Sequence, residues 1–289
     1  MKNYTLKRNA MRVIYHLFTF SFACVMIYPL VWMIMGSFKD TTEIFRHAEH
    51  LLPQSFHLGN YIKGWKGFAN VSFTVFFKNS LIISGLATVG AVCSSAIIAY
   101  GFARCNFKGK GIWFSAMLVS MMLPFQIIMI PQYILFNQMG WVGTYLPLIV
   151  PHFFGQGFFI FLNIQFIKGI PRDLDEVAKI DGCSIYGIFT RIILPLIKPS
   201  IVTSAIFSFM WRWDDFMSSL IFLNNPLQYP VAYALKLFAD PTAGSDWGAM
   251  FAMATLSLVP IFIIFLTMQK YLVEGIASTG IKGEEEKIQ

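Results

Sequence analysis

Long apolar runs separated by short polar interludes organise the 289 residues of this chain. A helix that crosses the hydrocarbon of a bilayer needs roughly 20 mostly apolar residues. Six runs meet that length, at about 13–37, 76–103, 112–136, 145–167, 200–223 and 249–272. Each is continuous, whereas a barrel strand alternates polar and apolar positions over about ten residues. The pattern therefore predicts an all-α integral membrane protein of six transmembrane helices in one membrane domain over 1–289, with both termini on the same side. The first run, Val13 to Phe38, follows basic residues as a secretory leader would. It is too long for one and has no small-residue cleavage site, so it is expected to stay as the first span.

Within these runs Pro29, Pro124, Pro131 and Pro260 each remove a backbone donor. In lipid that is tolerated only where neighbouring helices or water satisfy the freed carbonyl. Two prolines in the third run predict a bent helix, either lining a cavity or kinked for packing. Gly85, Gly90, Ala91, Ser94, Ser95 and Ala96 predict close approach of a neighbour to the second span.

The polar interlude at about 168–199 has its own helical pattern. Pro171 with Asp173 marks a helix start, Asp173, Asp175 and Glu176 suit the positive end of its dipole, and Gly182 suits a left-handed stop. Leu174, Val177, Ala178 and Asp181 fall near one stripe. From Ile185 a second amphipathic run through Ile188, Phe189, Ile192 and Ile193 leads to Pro195 and the next span. A helix, a sharp turn and a second helix along the membrane surface are expected.

Composition agrees with a bilayer setting. Hydrophobic residues are 56% and charged residues 13% of the chain, and the mean hydropathy is +0.60, too apolar for a soluble domain of this length to cover its surface. The net charge of +7 is no sign of nucleic acid, because Lys and Arg lie in the interludes instead of lining one face. With the N-terminus inside, Lys2, Lys7, Arg8, Arg12, Arg104, Lys108, Lys110, Lys168, Arg172, Lys179, Arg191, Lys198, Lys270, Lys282 and Lys287 are cytoplasmic. Lys39, Arg46, Lys63, Lys66, Lys78 and Lys236 are external, and this asymmetry predicts cytoplasmic termini by the positive-inside rule. External loops then fall at about 38–75, 137–144 and 224–248. Cys24, Cys93, Cys105 and Cys183 have neither metal-ligand spacing nor a disulfide pattern.

The order Glu176, Ala178, Gly182, Ile192, Leu194, Pro195 resembles the EAA signature of binding-protein-dependent ABC-transporter permeases, with Val177 where the family usually has alanine. The segments Leu123 to Pro151, FIKGIPRDLDEVAKIDG, Trp211 to Phe216 and Tyr271 to Gly283 extend the likeness to the carbohydrate-uptake branch, and within it to the MalG-like subunit. The resemblance implies a heterodimer with a MalF-like second permease subunit, a cytoplasmic ABC ATPase dimer that binds ATP and Mg, and an extracytoplasmic solute-binding protein. This chain would then hold no cofactor and catalyse nothing, in keeping with the lack of a phosphate-cradling GxxxxGK[ST] loop. The resemblance further implies that Glu176, Ala178, Asp181, Gly182, Leu194 and Pro195 form the ATPase-coupling element. It also implies that Gly275 to Gly283 reach the ATPase, and that 224–248, with Pro226, Pro230, Asp240, Pro241 and Gly244, meets the binding protein.

Charges inside a span default to a functional reading. Trp211, Arg212, Trp213, Asp214 and Asp215 in the fifth run are candidates for the translocation path, with Arg212 and Asp215 three apart and able to pair on one helical face. Asp214 stands where the family usually has asparagine. The cluster reads equally as a substrate contact or as an ion pair that fixes packing. Gln126 and Tyr133 on the third run are further path candidates, with Gln132 and Asn137 beside them, and His152 and Asn163 serve as proton relay, sugar contact or interhelical hydrogen bond. A carbohydrate importer subunit, with oligosaccharide as the central substrate class, is the expected function. Polyols, uronic-acid oligomers and glycerol phosphates are alternatives within the family. An ion-coupled secondary carrier using His152, Asp214 and Asp215 is the alternative outside it. An intramembrane enzyme lacks both an HExxH zinc motif and a nucleophile motif.

Overall fold

The computed structural model describes residues 2–239 and 246–280, and among these the side chains of 9, 11–239 and 246–271. No strand occurs among the described residues. Four helices are long and apolar enough to cross a membrane: Met11–Gly36, Phe73–Arg104, Leu146–Lys168 with an internal 3-10 turn at Val150–Phe154, and Trp247–Tyr271. Two further pairs of helices pass the same test only together, which makes six candidate crossings when each bent pair is counted as one. Lys110–Met122 and Phe125–Gln138 meet at 103°, and Ile185–Leu196 and Lys198–Trp213 meet at 76°.

The third crossing breaks at Leu123 and Pro124, where Leu123 is extended because the residue before proline is excluded from the helical region. Pro131, expected to share in the bend, lies inside the intact helix Phe125–Gln138. The fifth run also departs from expectation. Its helix stops at Trp213, and a separate short helix, Phe216–Phe222, begins after Asp215, whose carboxylate accepts the Ser218 N–H at 3.0 Å as an N-cap.

The contacts group the chain into two compact units, residues 1–70 with 235–258 and residues 71–234 with 259–289. In the first, Trp32 meets Phe251 edge to face at 5.4 Å, and Gly64 leaves the space that Met253 fills. The 38–66 segment is folded over its own polar groups. Buried Lys39 donates to the His50 carbonyl, Asn60 Nδ2 donates to the carbonyls of Ser37 and Lys39 at 2.9 and 2.8 Å, and Glu43 accepts the Gln54 N–H at 2.8 Å.

In the second unit Phe73–Arg104 is the central post. Ser84, Ala87, Ala91, Ser95, Ala99 and Ala103 form its fully or almost fully buried stripe, spaced three or four residues apart, so the helices Gly157–Lys168 and Lys198–Trp213 approach closely. Gly90 gives way to the ring of Phe153, and Ser95 Oγ accepts the Gln156 N–H at 3.0 Å. Gly85 is not part of this contact, with open space around it. Asn163 is an interhelical fastener, accepting Ser200 Oγ at 2.6 Å and donating to the Phe159 carbonyl at 2.8 Å.

Candidate functional site

The elbow is built as the helix Asp173–Ile180, a glycine stop and a second helical run from Ile185. Gly182 has φ +76°, a left-handed value that costs a side chain about 1–2 kcal/mol. Its N–H reaches the Lys179 carbonyl at 3.0 Å and the Cys183 N–H reaches the Ala178 carbonyl at 2.9 Å, the paired bonds of a Schellman stop. Ser184 Oγ then accepts the Gly187 N–H and starts the next helix.

The buried side of this helix is formed by Asp175 and Ala178. Ala178 packs into a cluster with Ala99, Tyr100, Ala103, Ile164, Ile167 and Ile188, and Asp175 lies beside it. Arg104, at the end of the second span, places Nε 2.9 Å from Asp175 Oδ2 and donates from Nη2 to the Ile170 carbonyl at 2.7 Å. This anchor was missed in the sequence, although an arginine closing an apolar run and an acid in the middle of the elbow's acidic first turn were there to be matched. With Ala178 and Asp175 turned inward, Leu174, Val177 and Ile180 are left exposed, Ile180 at 85%, together with Glu176 and Asp181. An amphipathic helix ordinarily buries such residues.

Leu194 and Pro195 do not join that surface. They follow a π-helical turn at Phe189–Ile193, where the Leu194 N–H bonds to the Phe189 carbonyl, and stand at the 76° bend into the fifth crossing. They line an apolar groove of about 480 Å³ with Ala96, Ile97, Phe189 and Ile201. They stand where the chain turns into the fifth run, apart from Glu176, Ala178, Asp181 and Gly182 on and just after the helix Asp173–Ile180.

The second candidate site surrounds Arg212. Its Nη1 donates to Asp215 Oδ2 at 3.2 Å and faces His152 Nε2 at 3.3 Å, a nitrogen that accepts when the imidazole proton is on Nδ1. The Arg212 to Asp215 pair forms as the spacing predicts, but across the helix break instead of along one helix. A cavity of about 720 Å³ opens here, lined by Gln132, His152, Gln156, Trp211, Arg212 and Ser218 among others. Gln156 Oε1 and Arg212 Nε are buried with no hydrogen-bond partner.

Of the residues expected on the path, Trp211 and Arg212 face this cavity, and Trp211 stacks on Phe159 at 5.4 Å. Trp213 does not. It is 2% exposed, stacked on Phe209 in the protein's own core. Asp215 is occupied as cap and ion-pair partner, and exposed Asp214 lies outside the cavity lining. Gln126 is exposed on Phe125–Gln138 and also off the lining, and Tyr133 stacks on Phe222 at 6.4 Å. Gln156 and Ser218 line the cavity and were not singled out in sequence; neither carries a charge that would mark it. In the 224–248 segment, Asn225 caps a turn at Pro226–Gln228, whereas Asp240, Pro241 and Gly244 lie outside the described residues. The tail Gly275 to Gly283, expected to reach the ATPase, is backbone helix as far as Gly280 and otherwise lies outside the described residues.

Residues 91–278 match the family described as binding-protein-dependent transport system inner membrane component. The chain is 38% identical over 267 residues, 92% of its own length and 87% of the relative's, to a probable ABC transporter permease protein, YurM, of Bacillus subtilis (strain 168). It is 31% identical over 283 residues, 96% of its length and 100% of the relative's, to the arabinooligosaccharides transport system permease protein AraQ of Halalkalibacterium halodurans. Its fold is shared with a chain in the crystal structure of a bacterial ABC transporter involved in the import of the acidic polysaccharide alginate, with a TM-score of 0.79 at 18% identity, covering 91% of this chain and 96% of that one. A match over most of the chain, together with a fold of apolar crossings around a projecting elbow, makes this protein a member of the inner-membrane permease components of binding-protein-dependent ABC transport systems.

Proposed function

We propose that this chain forms half of the passage of an ABC importer for carbohydrate, oligosaccharide in the first instance. A second, MalF-like permease subunit completes the passage, and a solute-binding protein delivers the substrate from outside the cell. The elbow carries the motion of a cytoplasmic ATPase dimer, which binds ATP and Mg and does the hydrolysis, so both termini of this chain lie in the cytoplasm. The observation that carries this reading is the outward apolar face Leu174, Val177 and Ile180 beside Glu176, on a helix whose opposite face is pinned by Ala178 and the Arg104 to Asp175 pair. A helix fixed on one side and bare on the other transmits force only when a partner takes the bare side, and both states of the passage must feel it.

The substrate class is supported by the cavity at Arg212. Its amide, hydroxyl and guanidinium groups suit sugar hydroxyls, and Trp211 offers a flat face to C–H surfaces. The relative AraQ is named for arabinooligosaccharides, which favours the same class.

Reconstitution with the partner subunits in vesicles tests the whole reading. Uptake is expected to require ATP and the binding protein and to survive a protonophore. Val177→Asp with Ile180→Asp, or Glu176→Lys alone, is expected to abolish uptake without lowering the melting temperature, because these side chains are exposed. Uptake by the chain alone, driven by an ion gradient, would overturn it in favour of a secondary carrier.

A further inference from the structure

At one end of the second unit the second, third and fourth crossings terminate around a cavity of about 660 Å³ that the transport reading leaves unused. Lys110, Lys168 and Arg172 line it together with Phe102, Phe114 and Ile170. Arg104 also borders it, but its charge is met by Asp175. Lys110 Nζ donates to the Cys105 carbonyl at 3.0 Å, a neutral partner, and among the described residues no carboxylate forms an ion pair with Lys110, Lys168 or Arg172. Gly111 adds the first turn of the 13-residue helix Lys110–Met122, whose N-cap, Gly109, supplies no side-chain hydrogen bond. Three uncompensated cations and a free helix start converge on one concavity, a setting that favours an anion with several acceptor oxygens.

The walls say which anion. Phe102 and Phe114 meet edge to face at 5.9 Å and are only half-buried, on helices that continue into the apolar spans. A small soluble anion has no use for aromatic walls that lead into hydrocarbon. We propose that this cavity holds the phosphate headgroup of an anionic phospholipid, its acyl chains descending past Phe102 and Phe114. Basic pockets between spans at the membrane boundary are suited to such headgroups. The bound headgroup fastens the root of the elbow, Ile170 to Arg172, to the starts and ends of three crossings. The inference rests on membrane residence and holds whatever partner the elbow meets.

Native mass spectrometry of the assembled transporter, released from micelles containing phosphatidylglycerol or phosphatidylcholine, tests it. Wild type is expected to retain phosphatidylglycerol and not phosphatidylcholine. The triple variant Lys110→Gln, Lys168→Gln, Arg172→Gln is expected to bind it about tenfold or more weakly, while Lys108→Gln, outside the cavity, binds as wild type does. Gly111→Asp keeps all three cations, has open space for its Cβ and favours the helix dipole, so it folds. It too should expel the lipid, because its carboxylate occupies the cavity. Equal retention by the triple variant or by Gly111→Asp overturns the site. So does an equal loss in Lys108→Gln, which would mean diffuse surface attraction, or displacement of the lipid by millimolar inorganic phosphate, which would mean a soluble-anion site. Absence of retained phosphatidylglycerol from wild type, as when an acidic segment of a partner protein fills the cavity, overturns it as well.

Discussion

Arg104 Nε stands 2.9 Å from Asp175 Oδ2, with the two side chains 6% and 11% exposed, and so joins the last turn of the second crossing to the first turn of the elbow. The pair is an ion contact by distance, and Asp175 Oδ1 has no hydrogen-bond partner. Its value lies in position more than in net stability, because desolvation offsets much of the attraction between buried charges.

Removing one member is therefore costlier than removing both. Asp175→Ala strands the Arg104 guanidinium and is expected to destabilise the protein by about 3 kcal/mol. Arg104→Met with Asp175→Leu should recover most of that loss in thermal unfolding, yet leave transport coupling impaired because the elbow's angle is no longer held. Full transport by the double variant would show that the pair only balances charge.

Gly182 separates conformational need from steric need. Nothing lies within 4 Å of where its Cβ would be, so Gly182→Ala meets only the left-handed backbone cost of about 1–2 kcal/mol and should keep partial uptake. Gly182→Pro cannot adopt φ +76° and loses the N–H that bonds Lys179. It is expected to remain inserted, with ATP hydrolysis no longer producing uptake. Equal uptake by the two variants, measured in the same vesicles, would contradict this.

The two neighbouring carboxylates are predicted to behave unlike each other. Asp215 caps Phe216–Phe222 and pairs with Arg212, so Asp215→Ala should lower stability by about 1–2 kcal/mol for the lost cap and free Arg212 into the cavity. Asp214 is exposed and its side chain makes no hydrogen bond to another described residue, so Asp214→Asn should leave the melting temperature unchanged. A larger loss from Asp214→Asn than from Asp215→Ala would refute the assignment.

Gly90 tests the close packing of the second crossing. A Cβ there would come within 2.4 Å of the Phe153 ring, so Gly90→Ala is expected to cost about 1–3 kcal/mol from overpacking. Phe153→Leu in the same chain should relieve part of it. Gly85→Ala, with open space, serves as the control and should be close to neutral in the same unfolding measurement.

Much of the elbow was legible in the linear chain because its signals are local. Acids at a helix start and a glycine at its stop act within one or two turns, and the Schellman bonds of Gly182 and Cys183 follow from them. The apolar runs were equally readable, since length against bilayer thickness depends on no distant residue. Which side of the elbow helix is buried was not legible, for the opposite reason. Leu174 and Val177 look like core by periodicity, but Ala178 and Asp175 were selected for burial by Arg104 and the Ala99 to Ala103 surface, about seventy residues earlier.

The path residues show the same division. Arg212 was marked by the cost of a charge in a span, and its pairing with Asp215 by spacing alone. That Trp213 turns into the core while Trp211, two residues away, faces a cavity depends on which neighbour each side of the helix meets. So the sequence alone determined the membrane class, the long apolar runs and the hinge of the elbow, where hydropathy and backbone conformation act locally. Only the tertiary structure decided which face of the elbow stays bare, which polar groups converge on Arg212, and that Lys110, Lys168 and Arg172 gather around one cavity, because those outcomes depend on contacts between segments that hydropathy does not specify.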